Sequence, residues 1–237
     1  MDMDRYDAIA RAFDRRYRIK KTINILISGV ILLLGVSACL FGLRLEPSVT
    51  IFRFMTFDGT VFTSFGALVF IVVNVLEVLR KTELTSLTVY YIRLSSAAAE
   101  AVIFIVVLFS QLPVFSEHLL LFDRYDSFVM HALIPVLAVT SFVINDSSAG
   151  KLRPLQRFNG TWFVTFYAAV ILTLLGTGLL PHDLIPYFFL DVWNNHWSVT
   201  LVAFLFIYGA AYLISWALSV WNRKLSWLWF RNISKAE

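Results

Sequence analysis

Long apolar runs, separated by short polar segments, recur along this chain. A helix needs about 20 apolar residues to cross the hydrocarbon core of a bilayer, and six runs meet or approach this length. Because lipid offers no hydrogen-bond partner to an open backbone, each run is predicted to be helical. The prediction is therefore an all-α membrane protein, residues 1–237 forming one domain of six transmembrane helices. The predicted spans lie near residues 22–43, 54–78, 89–111, 127–144, 161–180 and 198–220.

The composition agrees with a chain whose main solvent is lipid. Hydrophobic residues make up 59% of the sequence and charged residues 15%, and the mean hydropathy is +0.74. A soluble domain of this size needs a larger charged surface. The single cysteine, Cys39, lies within the first apolar run. The chain therefore has no intrachain disulfide and no metal site built from several cysteines.

The basic residues predict the orientation of the helices. Of the 20 Lys and Arg residues, 17 fall on one side of the predicted bundle and 3 on the other. Under the positive-inside rule, both termini are predicted to be cytoplasmic. Because these charges are concentrated in loops that report topology, we expect no nucleic-acid partner.

The segment before the first span has a helical pattern of its own. Tyr6, Ile9, Phe13 and Tyr17 recur at three- and four-residue spacing among arginines. This pattern is typical of a basic amphipathic helix on an anionic membrane surface. Residues 1–21 are therefore predicted to be an interfacial segment that reinforces the topology.

A few polar side chains lie inside the predicted spans, where they are costly and hence candidates for function. Thr56 in the second span and His131 in the fourth are predicted at matching depth, about one helical turn (roughly 5 Å) below the same surface. A threonine and a histidine at one depth can act as nucleophile and general base toward an ester carbonyl. The other candidates, as possible supporting groups, are Asp58, Thr60 and Glu100.

Each of these residues also has a purely structural interpretation. A threonine in a membrane helix often bonds the carbonyl one turn earlier, and a histidine near a helix end often reaches water. Glu100 can carry a proton, orient His131, or bond a neighbouring helix. Asp58 is the alternative acid of the site. The four histidines are predicted on one side of the membrane, but their spacing is not that of metal ligands, so we expect no metal and no other cofactor.

Three short segments resemble a known family when they are taken together. They are Phe52-Arg53-Phe54-Met55-Thr56-Phe57-Asp58 before and within the second span, His131-Ala132-Leu133-Ile134-Pro135 in the fourth, and Ile185-Pro186-Tyr187-Phe188-Phe189-Leu190-Asp191-Val192 before the sixth. In this order they are similar to the six-span family that includes the androgen-induced and androgen-dependent TFPI-regulating proteins, especially its bacterial members. Where bacterial members tend to have a Ser-Asn pair, this chain has Asp58, Gly59 and Thr60.

The resemblance implies a function. Animal members are membrane threonine hydrolases that cleave fatty acid esters of hydroxy fatty acids, which implies Thr56 as nucleophile and His131 as its base. The expected substrate is a lipid acyl ester, the expected partners are membrane lipids, and the expected location is a bacterial plasma membrane. The sequence gives no oligomeric state.

Two other functions fit the same residues. One is a small proton-coupled transporter that uses Glu100 and His131, although no internal repeat or Gly/Pro-broken helix of the kind common in transporters is visible. The other is a non-enzymatic membrane scaffold or regulator, in which the polar residues only pack the bundle.

Overall fold

The computed structural model describes residues 3–82, 84–108, 124–145, 152–191 and 193–234, and within these ranges the protein is a bundle of helices without strands. Six of the helices are long and apolar enough to cross a membrane, as predicted. We number them α1 (Met3–Leu45), α2 (Met55–Arg80), α3 (Leu87–Val106), α4 (125–145), α5 (Trp162–Gly176) and α6 (Trp197–Ser234).

The boundaries of the fifth span differ most from the prediction. A 3-10 helix, Pro154–Thr161, leads directly into α5, so the apolar helical stretch begins at Pro154 and not at 161. It ends at Gly176 and not at 180, because Gly178 adopts a left-handed conformation (φ 71°) that a helix cannot continue through. The predicted end of the third span, residues 109–111, lies outside the described residues.

The predicted interfacial segment and the first span form one helix. α1 runs without a break from Met3 to Leu45, 43 residues, or about 65 Å at the usual helical rise. The part of α1 that is long and apolar enough to cross a membrane is Tyr17–Leu45. The boundary near residue 21 is therefore not marked by a turn or a change of helix.

α3 lies at the centre of the bundle because its sequence is rich in small residues. Its segment 95–99 reads Ser-Ser-Ala-Ala-Ala, and all five side chains are buried. Small side chains allow neighbouring helices to approach closely, which replaces hydrophobic burial as the source of affinity between helices in lipid. Elements of α2, α4, α5 and α6 all pack on α3.

α1 packs closely along α2. A side chain at Gly35 would collide with Ser64 of α2. The two helix backbones therefore lie close together here because both residues are small.

At the end of α2 far from Thr56, the Lys21 ammonium lies 2.6 Å from the Glu77 carboxylate. The other carboxylate oxygen of Glu77 accepts bonds from the Leu84 and Thr85 backbone and the Thr85 hydroxyl, each at 2.7 Å. This buried cluster joins α1, α2 and the start of α3.

Candidate functional site

Thr56 is the second residue of α2, and the residues before it fix its position. A 3-10 helix, Val49–Arg53, precedes an extended Phe54 (φ −90°, ψ 121°), after which α2 begins at Met55. The Thr56 side chain is 8% exposed. Phe54 provides no side-chain cap, so the first N–H groups of α2 need partners from elsewhere.

Two tyrosines from later parts of the chain supply partners at this helix start. The phenol oxygen of Tyr187 accepts a hydrogen bond from the Met55 backbone N–H at 3.1 Å and lies beside the hydroxyls of Thr56 and Tyr167. Tyr167 donates its hydrogen to the Arg53 carbonyl oxygen at 2.5 Å. Because a phenol has one hydrogen, Tyr167 can only accept from Tyr187, which in turn can accept from Thr56. The three hydroxyls therefore lie in an order in which each can donate to the next.

The Tyr187 phenol is a hydrogen-bonding group and not a base. Removal of the phenol from water raises the pKa of Tyr187 to about 12. The phenol therefore keeps its proton at neutral pH, and it can orient Thr56 without taking its proton.

Thr56 lines a small apolar cavity of about 50 Å³. Met55, Tyr167 and Tyr187 share its wall, and the other lining side chains come mainly from α3, α5 and α6. Ligand pockets usually enclose roughly 300–1,000 Å³. The cavity beside Thr56 therefore has room for a few atoms, such as an ester group or water, and not for a hydrocarbon chain.

His131 lies in an irregular part of α4. The helix consists of Tyr125–Phe128, a π-helical turn Val129–Leu133 and Ile134–Asn145. In an α-helix, the carbonyl of His131 would accept from the N–H of residue 135, but Pro135 has none. The missing donor at Pro135 explains a π turn at this point, and such turns are frequent at functional sites.

The ring of His131 is held in the form that a base requires. Its Nδ1 lies 2.9 Å from the Ser127 carbonyl oxygen and 3.0 Å from the Ser127 hydroxyl. Because a carbonyl oxygen only accepts, Nδ1 carries the proton in this contact, and Nε2 of the neutral ring keeps its lone pair. Nε2 is thus the atom that can take a proton.

The structure gives Thr56 and His131 different neighbours. Thr56 faces Tyr187 and the cavity, whereas the hydrogen bonds of His131 are to Ser127 in its own helix, and His131 is outside the cavity lining. The two helices do meet nearby, since Phe57 of α2 packs with Val129 and Met130 of α4 in one buried cluster. The pair predicted from depth is thus on adjacent helices, and among the described residues no hydrogen bond joins the two side chains.

Asp58 and the two deeper residues of the candidate set face other parts of the bundle. Asp58 lines a groove between α2, α3 and α5, close enough to Tyr167 for their charges to interact. Thr56, Thr60 and Thr63 are spaced four and three residues apart, which places them on one face of α2, and all three are buried. Glu100 is fully buried, and Thr63 is the polar side chain facing it. Neither carboxyl oxygen of Glu100 has a hydrogen bond of normal geometry among the described residues.

The described histidines at the loop before α6 have local contacts. His182 packs on the Trp193 ring at 3.9 Å between centroids, and Nδ1 of His196 lies 2.8 Å from the Ser198 hydroxyl. Within the described ranges, no group of three or more His, Cys, Asp or Glu side chains is placed to hold a metal ion. His118 lies outside these ranges.

Tyr167 and Tyr187 are not among the candidates predicted from polar residues in the spans. Tyr167 lies in the fifth span and was hidden by its aromatic ring, since only the hydroxyl distinguishes it from a packing residue. Tyr187 lies in the third segment that carries the family resemblance, where a tyrosine after Ile185-Pro186 was a usable signal. The sequence alone does not show that the hydroxyls of these two tyrosines lie together beside Thr56.

Comparison of the chain with protein-family models, with curated proteins and with solved structures found no match. The six helices that are long and apolar enough to cross a membrane indicate a multi-pass integral membrane protein. The family resemblance and the activity that it implies stay predictions.

Proposed function

We propose that this protein is an intramembrane hydrolase of lipid acyl esters, in which Thr56 is the nucleophile. The observation that carries the proposal is the setting of the Thr56 hydroxyl, which is buried at the start of α2, beside the Tyr187 phenol and in an apolar cavity. A buried hydroxyl at a helix N-terminus faces backbone N–H groups that favour developing negative charge. The resemblance to threonine hydrolases supports the same residue.

In the proposed reaction, Thr56 Oγ bonds to the ester carbonyl carbon and its proton passes to Nε2 of His131. The C–O bond to the leaving group breaks as that proton is returned to the leaving oxygen. Water, deprotonated by the same nitrogen, then bonds to the acyl carbon; the acyl–Oγ bond breaks, the acid leaves, and the proton on Nε2 passes to Thr56 Oγ. Since the hydrogen bonds of His131 are to Ser127 and not to Thr56, the proton moves through one water or after a side-chain rearrangement that substrate binding brings about.

The proposal also covers the substrate class, the membrane and the orientation of the enzyme in it. The substrate class is that of fatty acid esters of hydroxy fatty acids, the membrane is a bacterial plasma membrane with both termini cytoplasmic, and no cofactor takes part. The orientation is supported by the distribution of basic residues, and the substrate and membrane by the family resemblance.

Hydrolysis of a set of long-chain acyl esters by the purified protein tests the proposal. Thr56→Ala is expected to abolish turnover, a loss of at least about 10³-fold. Thr63→Ala removes a buried hydroxyl from the same face of α2 and serves as the matched control, with activity retained. An active Thr56→Ala protein contradicts the mechanism.

The proton-carrier alternative has one observation in its favour. Glu100 is fully buried, and its carboxyl oxygens have no hydrogen bond of normal geometry among the described residues. A carrier of this kind predicts substrate flux into liposomes that is lost in Glu100→Gln and retained in Thr56→Ala. The hydrolase predicts the opposite dependence for ester cleavage.

A further inference from the structure

A groove runs along the surface of the bundle between α2, α3 and α5. It encloses about 900 Å³, which is the size of a ligand pocket at roughly 300–1,000 Å³. Most of its wall is aliphatic or aromatic, and several of these side chains also face outward, among them Val61, Phe65 and Phe166. The groove therefore opens on the part of the surface that contacts lipid.

Most polar groups of the groove lie near its ends; the hydroxyl of Ser95, which lies between them, accepts a hydrogen bond from the Phe163 backbone N–H at 3.0 Å. Asp58 and Tyr167 line it at the Thr56 end, and Thr88 and Asn159 line it at the opposite end. Since α2 starts at one end of the bundle and α3 at the other, the groove crosses much of the bilayer. Apolar walls between polar ends match a molecule with one hydrocarbon chain and a polar group at its end.

The groove and the cavity beside Thr56 have a common wall. Tyr167 lines both. Deeper along the groove, the rings of Phe62 and Phe163 stack at 4.9 Å between centroids and close its floor toward the core. A polar group at this end of the groove lies next to Tyr167, whose hydroxyl is separated from that of Thr56 by the Tyr187 phenol.

We propose that this groove binds the acyl chain of a fatty acid ester, with the ester group directed toward Tyr167. The cavity at Thr56, about 50 Å³, is too small for the chain, whereas the groove can receive it directly from the bilayer. The inference rests on the proposed function for the identity of the ligand as an ester. Occupancy of the groove is measurable without turnover.

Photocrosslinking tests the site directly. The probe is a palmitic acid methyl ester with a diazirine in mid-chain, added to the Thr56→Ala protein in lipid nanodiscs so that it is not consumed. Crosslinked peptides are mapped by mass spectrometry. The expected adducts lie on groove residues such as Phe65, Ile92 and Phe166, and excess unlabelled methyl palmitate reduces them.

Two tryptophan variants provide a matched comparison. Val61→Trp fills the groove, whereas Val72→Trp places the same ring on the same face of α2, three turns away and outside the groove lining. We expect labelling to fall about tenfold in Val61→Trp, equivalent to about 1.4 kcal/mol, and to stay within about twofold in Val72→Trp. Equal loss in both, or no loss in either, overturns the proposal.

The mapping decides the question even if Val61→Trp does not fold. Adducts spread over the lipid-facing surface, or displaced only by phosphatidylcholine, overturn the groove as the site that binds this acyl chain. Thr56-dependent hydrolysis with adducts elsewhere overturns the groove and leaves the proposed function intact. Groove adducts in a protein without Thr56-dependent hydrolysis support the groove and overturn the proposed function.

Discussion

The backbone N–H of Met55 donates a hydrogen bond to the phenol oxygen of Tyr187, 3.1 Å away and 132 residues along the chain. This bond satisfies the first donor of α2, which the preceding Phe54 does not cap. It also ties the loop between α5 and α6 to the start of the second span. Thr56 is therefore positioned by residues from two distant segments of the chain, through Tyr167 and Tyr187.

Removing the Tyr187 hydroxyl should weaken both the fold and the activity. Tyr187→Phe leaves the Met55 N–H without its acceptor, and we expect the free energy of unfolding to fall by about 1–3 kcal/mol. Ester hydrolysis should fall as well, because Thr56 loses its neighbouring phenol. Thermal unfolding and turnover in detergent measure the two effects. Tyr208→Phe, which lines the same cavity, should change neither, and equal effects of the two variants would contradict this role for Tyr187.

The contribution of Tyr187 to stability should depend on pH. Its pKa is about 12 in the folded protein, raised by burial from 10.0, so between these values the unfolded chain loses a proton that the folded chain keeps. The stabilisation is therefore complete below pH 10 and declines as the pH rises to 12, by at most about 3 kcal/mol. The free energies of unfolding of wild type and Tyr187→Phe, measured across this pH range, show whether the difference between the two proteins declines as the pH rises. A constant difference between the two proteins would show that the phenol does not titrate there.

Pro135 should determine the geometry around His131. Pro135→Ala supplies the N–H that the His131 carbonyl lacks, so we expect the π turn to become α-helical and the free energy of unfolding to rise by about 1 kcal/mol. The imidazole should then be displaced, with ester hydrolysis reduced roughly ten- to a hundredfold. Pro154→Ala is the control, since a proline at the first turn of a helix costs no hydrogen bond. Unchanged hydrolysis in Pro135→Ala would argue against His131 as the base.

The cluster at Glu77 should be the strongest polar contribution to stability among the ion pairs described. Glu77→Ala leaves the Lys21 ammonium buried without its partner, and we expect a loss of about 3–5 kcal/mol. Glu46→Ala removes a carboxylate that is 40% exposed and 3.7 Å from Arg53, with an expected loss below about 1 kcal/mol. Chemical unfolding in micelles compares the two. Similar losses would mean that the Glu77 pair is solvated.

The hydrophobic pattern predicted the six spans because length and apolarity alone decide whether a helix can cross lipid. It did not predict the π turn at Val129–Leu133, because hydropathy does not register the N–H that Pro135 lacks. It also could not predict the Met55–Tyr187 bond, because a contact across 132 residues is set by how the helices pack. Glu77 was missed for a related reason, since at the end of a span it has the pattern of a solvated charge.

The most direct test of Thr56 as the nucleophile is to identify the residue that a fluorophosphonate probe modifies covalently. The probe reacts with an activated hydroxyl, and peptide mapping then identifies the residue that carries the adduct. We predict a single adduct on Thr56 in the wild type. The adduct should be lost in Thr56→Ala and in His131→Ala, and retained in Thr63→Ala. A folded wild-type protein that carries no adduct, or carries it on another residue, would contradict Thr56 as the nucleophile.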